Sequence, residues 1–433
     1  MKFCKSLIDM NNKTYLSLPF CLLFSLFLSI STTSIVMAST DAAYHYSGEI
    51  NFEPEHGNID VQWTISVHDP KATHLTYVLR SSLGKVQATG DAIDSVAVGA
   101  SELGDDFQQI AITLKPSTKN ELRSFDLSYS GVLLPTPMGN RINQISKDSI
   151  ELNVDSFWLP MDSRFNQLLT VDLQIGISSD WQAVGAGDIA TTENGYQLTN
   201  TKPSIDIAFA LAKNFVVTKL SGFTLYDVRQ NKFGIDKLSS AADFCVTELN
   251  QRYGQSGSLS DISFTINDRP ESGYARGNYI ALTDISEAQP ENLTQYVCHE
   301  IAHNWSGYGK FDTEENWLNE GFAEYVGLMM LRKRFGDDAF KARLEQFRAQ
   351  IEGKSLGPIW TPELTARPDY LVSYRKAPLV LQELEKRIGS EPFDRFVTAY
   401  MTSRTSTTES LLENLTQHTD KSNVEWFVNL LAQ

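Results

Sequence analysis

Two histidines four residues apart, with a glutamate directly after the first, stand in the stretch Cys298-His299-Glu300-Ile301-Ala302-His303-Asn304-Trp305 of a 433-residue chain. On an α-helix, residues at this spacing lie about 40° apart around the axis and about 6 Å apart along it. His299 and His303 then project from one face and reach a single tetrahedral ion. Glu300 comes close enough to hydrogen-bond a water on that ion. Apolar Val297, Ile301 and Trp305 in the same window suit a helix packed inside a domain. A third ligand follows in Asn316-Trp317-Leu318-Asn319-Glu320-Gly321-Phe322-Ala323-Glu324-Tyr325. Glu320 heads the next helical pattern and can fold back over the first helix, completing a two-histidine, one-glutamate set with the fourth position left for water. The expected ligands are His299, His303 and Glu320, for one Zn2+ per chain, with Glu300 as general base. Glu324, one turn after Glu320, reads equally well as a hydrogen-bond partner of a ligating histidine or as a solvated carboxylate.

The elements that must position these groups follow from periodicity. Helical patterns cover 236–253, 291–307, 314–335, 338–351 and 376–388, and three shorter ones follow to the end. Gly254, Gly336, Gly353 and Gly389 mark their stops. With strands expected at Ile262–Ile266 and Tyr279–Leu282, residues 219–433 read as a small sheet followed by stacked helices, an α+β domain. Upstream the apolar period is two. Ile59, Val61, Trp63, Ile65 and Val67 alternate with polar residues, as do Leu169, Val171, Leu173 and Ile175. Phe125-Leu127-Tyr129 and Ile110-Ile112-Leu114 fit the same template. Residues 39–218 are therefore expected to form a β-rich sandwich or saddle, and the fold class is α+β multidomain.

With these residues in place the chain resembles a known family. His299-Glu300-Ile301-Ala302-His303-Asn304-Trp305, followed by Trp317-Leu318-Asn319-Glu320-Gly321-Phe322-Ala323-Glu324-Tyr325, is similar to the gluzincin metallopeptidases of the aminopeptidase N and leukotriene hydrolase family. The resemblance implies an N-terminal β-sandwich or saddle and a thermolysin-like α+β zinc peptidase domain, with the ligands and base named above. Ser373-Tyr374-Arg375-Lys376-Ala377 looks like the family's Tyr-Glu-Lys-Gly segment, which implies that Tyr374 stabilises the oxyanion. Such a donor is typically worth about 3–4 kcal/mol. Trp158-Leu159-Pro160 and its surroundings look like the family's saddle.

The chain departs from the pattern in three places. Sixteen residues separate His303 from Glu320, where the family has eighteen, a shortening that a connecting loop absorbs. The family's Gly-x-Met-Glu-Asn segment, whose glutamate grips a free amino terminus, is replaced by Ser272-Gly273-Tyr274-Ala275-Arg276-Gly277-Asn278, with Glu271 as the nearest acid. The chain also ends without the helical C-terminal region, and so reads as a short form. The expected function is zinc-dependent hydrolysis of peptide bonds, aminopeptidase-like, with weakened recognition of the amino terminus. An extended peptide substrate is expected along Tyr279–Leu282 in the edge-strand manner. The alternatives are a peptide-binding protein without turnover, which the intact ligands and base disfavour, and a metallohydrolase acting on a non-peptide substrate.

Charge and the first residues bound the setting. Lys2, Lys5 and Lys13 precede an apolar run from Leu16 to Ile30, and Val36-Met37-Ala38 follows. That order predicts a signal peptide over 1–38 and a periplasmic or secreted protein. The run, broken by Pro19, is shorter than the roughly 20 residues that span a bilayer, so no stable membrane insertion is expected after cleavage. The chain carries a net charge of −16, and its first 38 residues hold a surplus of two positive charges, which leaves −18 on the remainder. So acidic a surface repels nucleic acid. Past residue 38 only Cys245 and Cys298 remain; two buried free thiols on separate helices are preferred over a bridge. His45, His56, His68, His74 and His418 have no metal-ligand spacing and are read as surface residues.

Overall fold

The computed structural model describes residues 42–433, apart from 118–120, 134–144, 164, 221 and 268–272. The segment 1–38 and Glu271 lie outside the described residues.

The period-two segments are strands. Tyr44–Glu53 pairs antiparallel with Asn58–Val67 and parallel with Leu169–Gly176, inside a seven-stranded sheet. The alternation decides the faces: Val61, Trp63 and Ile65 are buried, while Asp60, Gln62 and Thr64 are exposed. A four-stranded sheet containing His74–Arg80 and Phe107–Leu114 packs into the same core. Trp158 lies at its centre, 5.9 Å from Trp63 ring to ring, and its carbonyl accepts from the Tyr129 hydroxyl at 2.7 Å. Among the histidines read as surface residues, His45 and His68 are half-buried, held by Thr170 Oγ1 and the Ala42 carbonyl.

The second half begins with a five-stranded sheet ordered Val216–Leu220, Phe223–Asp227, Ile262–Ile266, Tyr279–Leu282 and Tyr274–Arg276. Tyr279–Leu282 therefore has a strand on each side, parallel Ile262–Ile266 and antiparallel Tyr274–Arg276. This corrects the edge-strand expectation. The backbone groups of Tyr279–Leu282 are already spoken for, and Tyr274–Arg276 is the edge. Among the described residues the α-helices follow the sequence pattern closely: α1 Ile235–Tyr253, α2 Pro290–Ala302, α3 Asn316–Phe335, α4 Asp337–Ile351, α5 Ala377–Ile388, α6 Ser390–Thr402, α7 Thr408–Leu415 and α8 Lys421–Leu431. The helix expected to reach 307 stops at Ala302. Trp305, buried in turns beyond that end, donates from Nε1 to the Gly257 carbonyl at 3.0 Å, drawing the chain off the helix axis.

Between the two cores lies a seam of small residues. Ala208, Ala210 and Ala212 of the N-terminal half pack on Tyr279 and Ala281 of the five-stranded sheet. Beside it the Arg276 guanidinium pairs with the buried Asp206 carboxylate, Nε to Oδ1 at 2.5 Å.

Cys245 of α1 and Cys298 of α2 form a disulfide with their Cα atoms 5.1 Å apart. This corrects the expectation of two free thiols. The helices pack against one another, and the two cysteines meet at their contact.

Candidate active site

The site is built on the α2–α3 pair. Residues Asn316–Leu331 of α3 are buried on every side, which is unusual for a helix carrying Asn319, Glu320 and Glu324. Polar groups placed so deep need partners. Asn319 satisfies both ends of its amide on Gly309, donating to the carbonyl and accepting from the N–H, each at 2.9 Å, and so holds down the loop between α2 and α3. Gly327 lets the helices approach. A Cβ there would lie 2.8 Å from the Gln295 carbonyl oxygen and 3.6 Å from His299 Cβ, so a side chain would push α3 away from the histidines. The head of α3 is fixed from the C-terminal helices, where Trp317 Nε1 donates to Thr408 Oγ1 and Tyr400 Oη to the Leu318 carbonyl, both at 2.8 Å.

His299 Nε2 and His303 Nε2 face each other at 3.2 Å. Glu320 Oε2 stands 3.6 Å from the first and 3.4 Å from the second. Zinc bonds of about 2.0–2.1 Å place the ligands of a regular tetrahedron about 3.3–3.4 Å apart, so these three spacings fit the ion. The tautomers agree as well. His299 Nδ1 meets Glu324 Oε2 at 2.8 Å, and His303 Nδ1 meets the Ser306 carbonyl at 3.1 Å. Each ring thus presents its Nε2 lone pair to the centre. Among the described residues these three form the one cluster of donor groups with metal-binding geometry.

The charged groups of the site shift one another's protonation. Burial pushes the His299 imidazolium down, but the Glu324 carboxylate overrides it and holds the ring's pKa at about 9. For Glu320 burial acts upward and is outweighed by His303 and His299, leaving the carboxyl at about 2. Glu300 is buried, and that burial raises its pKa against the pull of His299 and His303. Its carboxylate makes no hydrogen bond to another described residue.

Tyr374 closes the site. Its ring stacks on His299 at 5.8 Å between centroids, and the exposed Tyr370 stacks on it in turn at 4.6 Å. Burial and then the Glu320 carboxylate push its phenol well above the usual tyrosine value, so the hydroxyl keeps its proton to donate. The structure thus brings together His299, His303, Glu320, Glu300 and Tyr374. It also places Glu324 on the ligand, where the sequence left two readings open.

Three further contacts escaped the sequence. Gln295 donates to Glu324 Oε1 at 2.9 Å, and it stands four residues before His299 on the same helix face, a signal that was available. Arg375 reaches the same oxygen at 3.2 Å. The Arg276 partner, Asp206, carries no local signal. Because Glu324 sets the orientation and basicity of His299, Glu324→Gln should weaken zinc binding about 10–100-fold, read by competition with a chromophoric chelator. An unchanged affinity would return Glu324 to the ordinary carboxylates.

Comparison with known proteins meets this geometry. Residues 275–430 match the Peptidase family M1 domain. The part of the chain that holds the site is thus similar to the M1 peptidases. Over 136 residues it is 29% identical to leucine aminopeptidase 2 of Emericella nidulans, covering 28% of this chain and 22% of that protein. Over 123 residues it is 29% identical to endoplasmic reticulum aminopeptidase 2 of Homo sapiens, covering 25% of this chain and 12% of the other. The match thus spans between 12% and 26% of the length of these curated relatives. An M1 zinc metallopeptidase from Deinococcus radiodurans shares the fold with a TM-score of 0.67 at 15% identity, over 92% of this chain and 95% of that one. Leukotriene A4 hydrolase from Saccharomyces cerevisiae does so with a TM-score of 0.65 at 14% identity, over 89% and 66%. The N-terminal β half followed by the α+β half matches their architecture, and the stretch similar to the M1 domain begins on the edge strand Tyr274–Arg276 and contains every residue of the site.

Proposed function

We propose that the protein is an exported, zinc-dependent peptidase of aminopeptidase-like type. The observation that carries this reading is the set of three donor atoms at tetrahedral spacing beside a buried carboxylate that has no hydrogen-bond partner among the described residues. Zinc held there supplies Lewis-acid polarisation of the scissile carbonyl and lowers the pKa of water towards about 7. Glu300 takes the proton of the attacking water and later hands it to the leaving amine nitrogen. The Tyr374 hydroxyl donates to the carbonyl oxygen as that atom gains charge. Glu324 and the Ser306 carbonyl hold the two imidazoles at the angles that keep Nε2 on the centre.

Recognition of the substrate's amino terminus is proposed to be weak. The described edge strand offers Tyr274, Ala275 and Arg276, and the arginine's charge is committed to Asp206. One peptide hydrolysed with its amino terminus free and acetylated tests this. A built ammonium anchor, worth about 1.5–3 kcal/mol, would make acetylation cost about 10–100-fold. The expected loss is less than about tenfold. Abolition of cleavage by acetylation, and again by Glu271→Gln, would make the protein an aminopeptidase with a displaced anchor.

Export is supported by the basic and apolar order of the first 38 residues and by the Cys245–Cys298 disulfide, a bond at home in oxidising compartments. The same reading divides the remainder into a β-rich domain at 39–218 and a catalytic domain at 219–433. The mature protein should begin after Ala38, with the −18 charge of the remainder. Mass spectrometry of protein recovered outside the cytoplasm checks this; an intact amino terminus would overturn it.

A further inference from the structure

Tyr374 sits on unusual backbone. Residues Val372–Lys376 form a widened turn of π geometry, closed by the Ala377 N–H on the Val372 carbonyl, which runs directly into α5. Such turns are rare in helices and need outside support. Here Lys376 Nζ holds the end of the turn on the Gly357 carbonyl at 2.7 Å, and the side that carries Tyr374 is held by Arg375. The Arg375 guanidinium donates through Nη1 to the Tyr374 carbonyl at 2.7 Å and to Glu324 Oε1 at 3.2 Å. Through Nη2 it donates to the Tyr370 hydroxyl at 2.7 Å, and through Nε to Gln350 of α4. Its plane lies over the Phe347 ring, 4.5 Å from the centroid. One planar fork therefore ties the carbonyl of Tyr374, the ring stacked on Tyr374, and the carboxylate that orients His299.

We propose that Arg375 is a positioning residue for the reaction, fixing the Tyr374 hydroxyl relative to the metal ligands by anchoring the widened turn to Glu324 and α4. This rests on the function proposed above. Arg375 itself makes no contact with the ligand atoms and moves no proton. Its effect passes through Tyr374, and lysine cannot replace it, since an ammonium lacks the planar set of donors that serves four acceptors at once.

The experiment is a double-mutant comparison on the zinc-loaded full chain, with Tyr374→Phe, Arg375→Met and the pair. Methionine keeps an apolar stem against Phe347. Tyr374→Phe should lower kcat about 10²–10³-fold. Arg375→Met should lower it about 10²-fold, the loss typical of a group displaced by about 1 Å, with KM within about twofold. In the Tyr374→Phe background the same change should cost less than about threefold, because the group it positions is already gone. Affinity for a phosphinic peptide, whose tetrahedral oxygen takes the same hydroxyl, should show the same non-additive pattern. Should Arg375→Met fail to fold, Arg375→Lys in both backgrounds gives the same comparison. Equal losses in the two backgrounds, or a parent-like kcat in Arg375→Met, would overturn the assignment while leaving the proposed function standing. A parent that neither turns over peptides nor binds the phosphinic analogue would remove both.

Discussion

Glu300→Gln should retain one zinc per chain and lose about 10²–10⁴ in kcat. Glutamine matches glutamate in size, so the packing of α2 is kept, and Glu300 is not one of the three converging donors. What is lost is a base. The Glu300 carboxyl is buried, with burial raising its pKa and the two histidines lowering it, so it stands above an ordinary carboxylate. Such a group accepts a proton from water more readily than a solvated glutamate does, and an amide does not accept one at all. A sign follows for pH. The base works in its ionised form, so parental activity should be present above its pKa and fall as the pH drops through that raised value. The residual activity of Glu300→Gln should lack this acid limb. Metal content and a pH–rate profile on the same preparation check both parts. Ordinary turnover by Glu300→Gln would break the mechanism.

His303→Ala should fail earlier in the chain of events, by losing the ion. Its Nε2 lies 3.2 Å from His299 Nε2 and 3.4 Å from Glu320 Oε2, so its removal leaves two donors and an open side. Zinc content after dialysis should fall from one per chain to near none. Several kcal/mol of charge stabilisation goes with the metal, which is about 10³-fold or more in kcat/KM. Heat should separate the two variants too. Zinc bound to the folded state alone stabilises it by mass action, so the parent and Glu300→Gln should gain Tm on adding zinc, and His303→Ala should not. A His303→Ala protein that keeps a chelator-resistant zinc would refute the ligand set.

How much of this was legible in the sequence depends on the range of each interaction. Strands such as Asn58–Val67 and helices such as α1 declare themselves through period and end signals, which are local, and the structure follows them within a residue or two. The ligand pair on α2 is local as well, since four residues on one helix fix the geometry. Glu320 needed only that two consecutive helices pack. The readings that failed depend on an element with no pattern of its own or on distant partners. The place of Tyr279–Leu282 inside its sheet depends on the short strand just before it, Tyr274–Arg276, whose three residues carry no period. The early end of α2 depends on a Gly257 carbonyl that precedes Trp305 by 48 residues. The roles of Arg375 and Asp206 depend on partners 51 and 70 residues away. Whether two cysteines bond depends on the distance between two helices, which composition does not encode.

That bond also bears on how the protein acquires the right metal in the right place. Cys298 directly precedes His299, and Cys245 lies against it. In a reduced chain the two thiols, once ionised, would be soft, anionic ligands beside the first imidazole, and thiolates hold zinc and copper avidly. Oxidation takes both sulfurs out of the competition and leaves the harder set of two imidazoles and one carboxylate as the best destination nearby. The disulfide thus keeps two sulfurs out of the metal's reach, one residue from the first of the three donors that converge beside it.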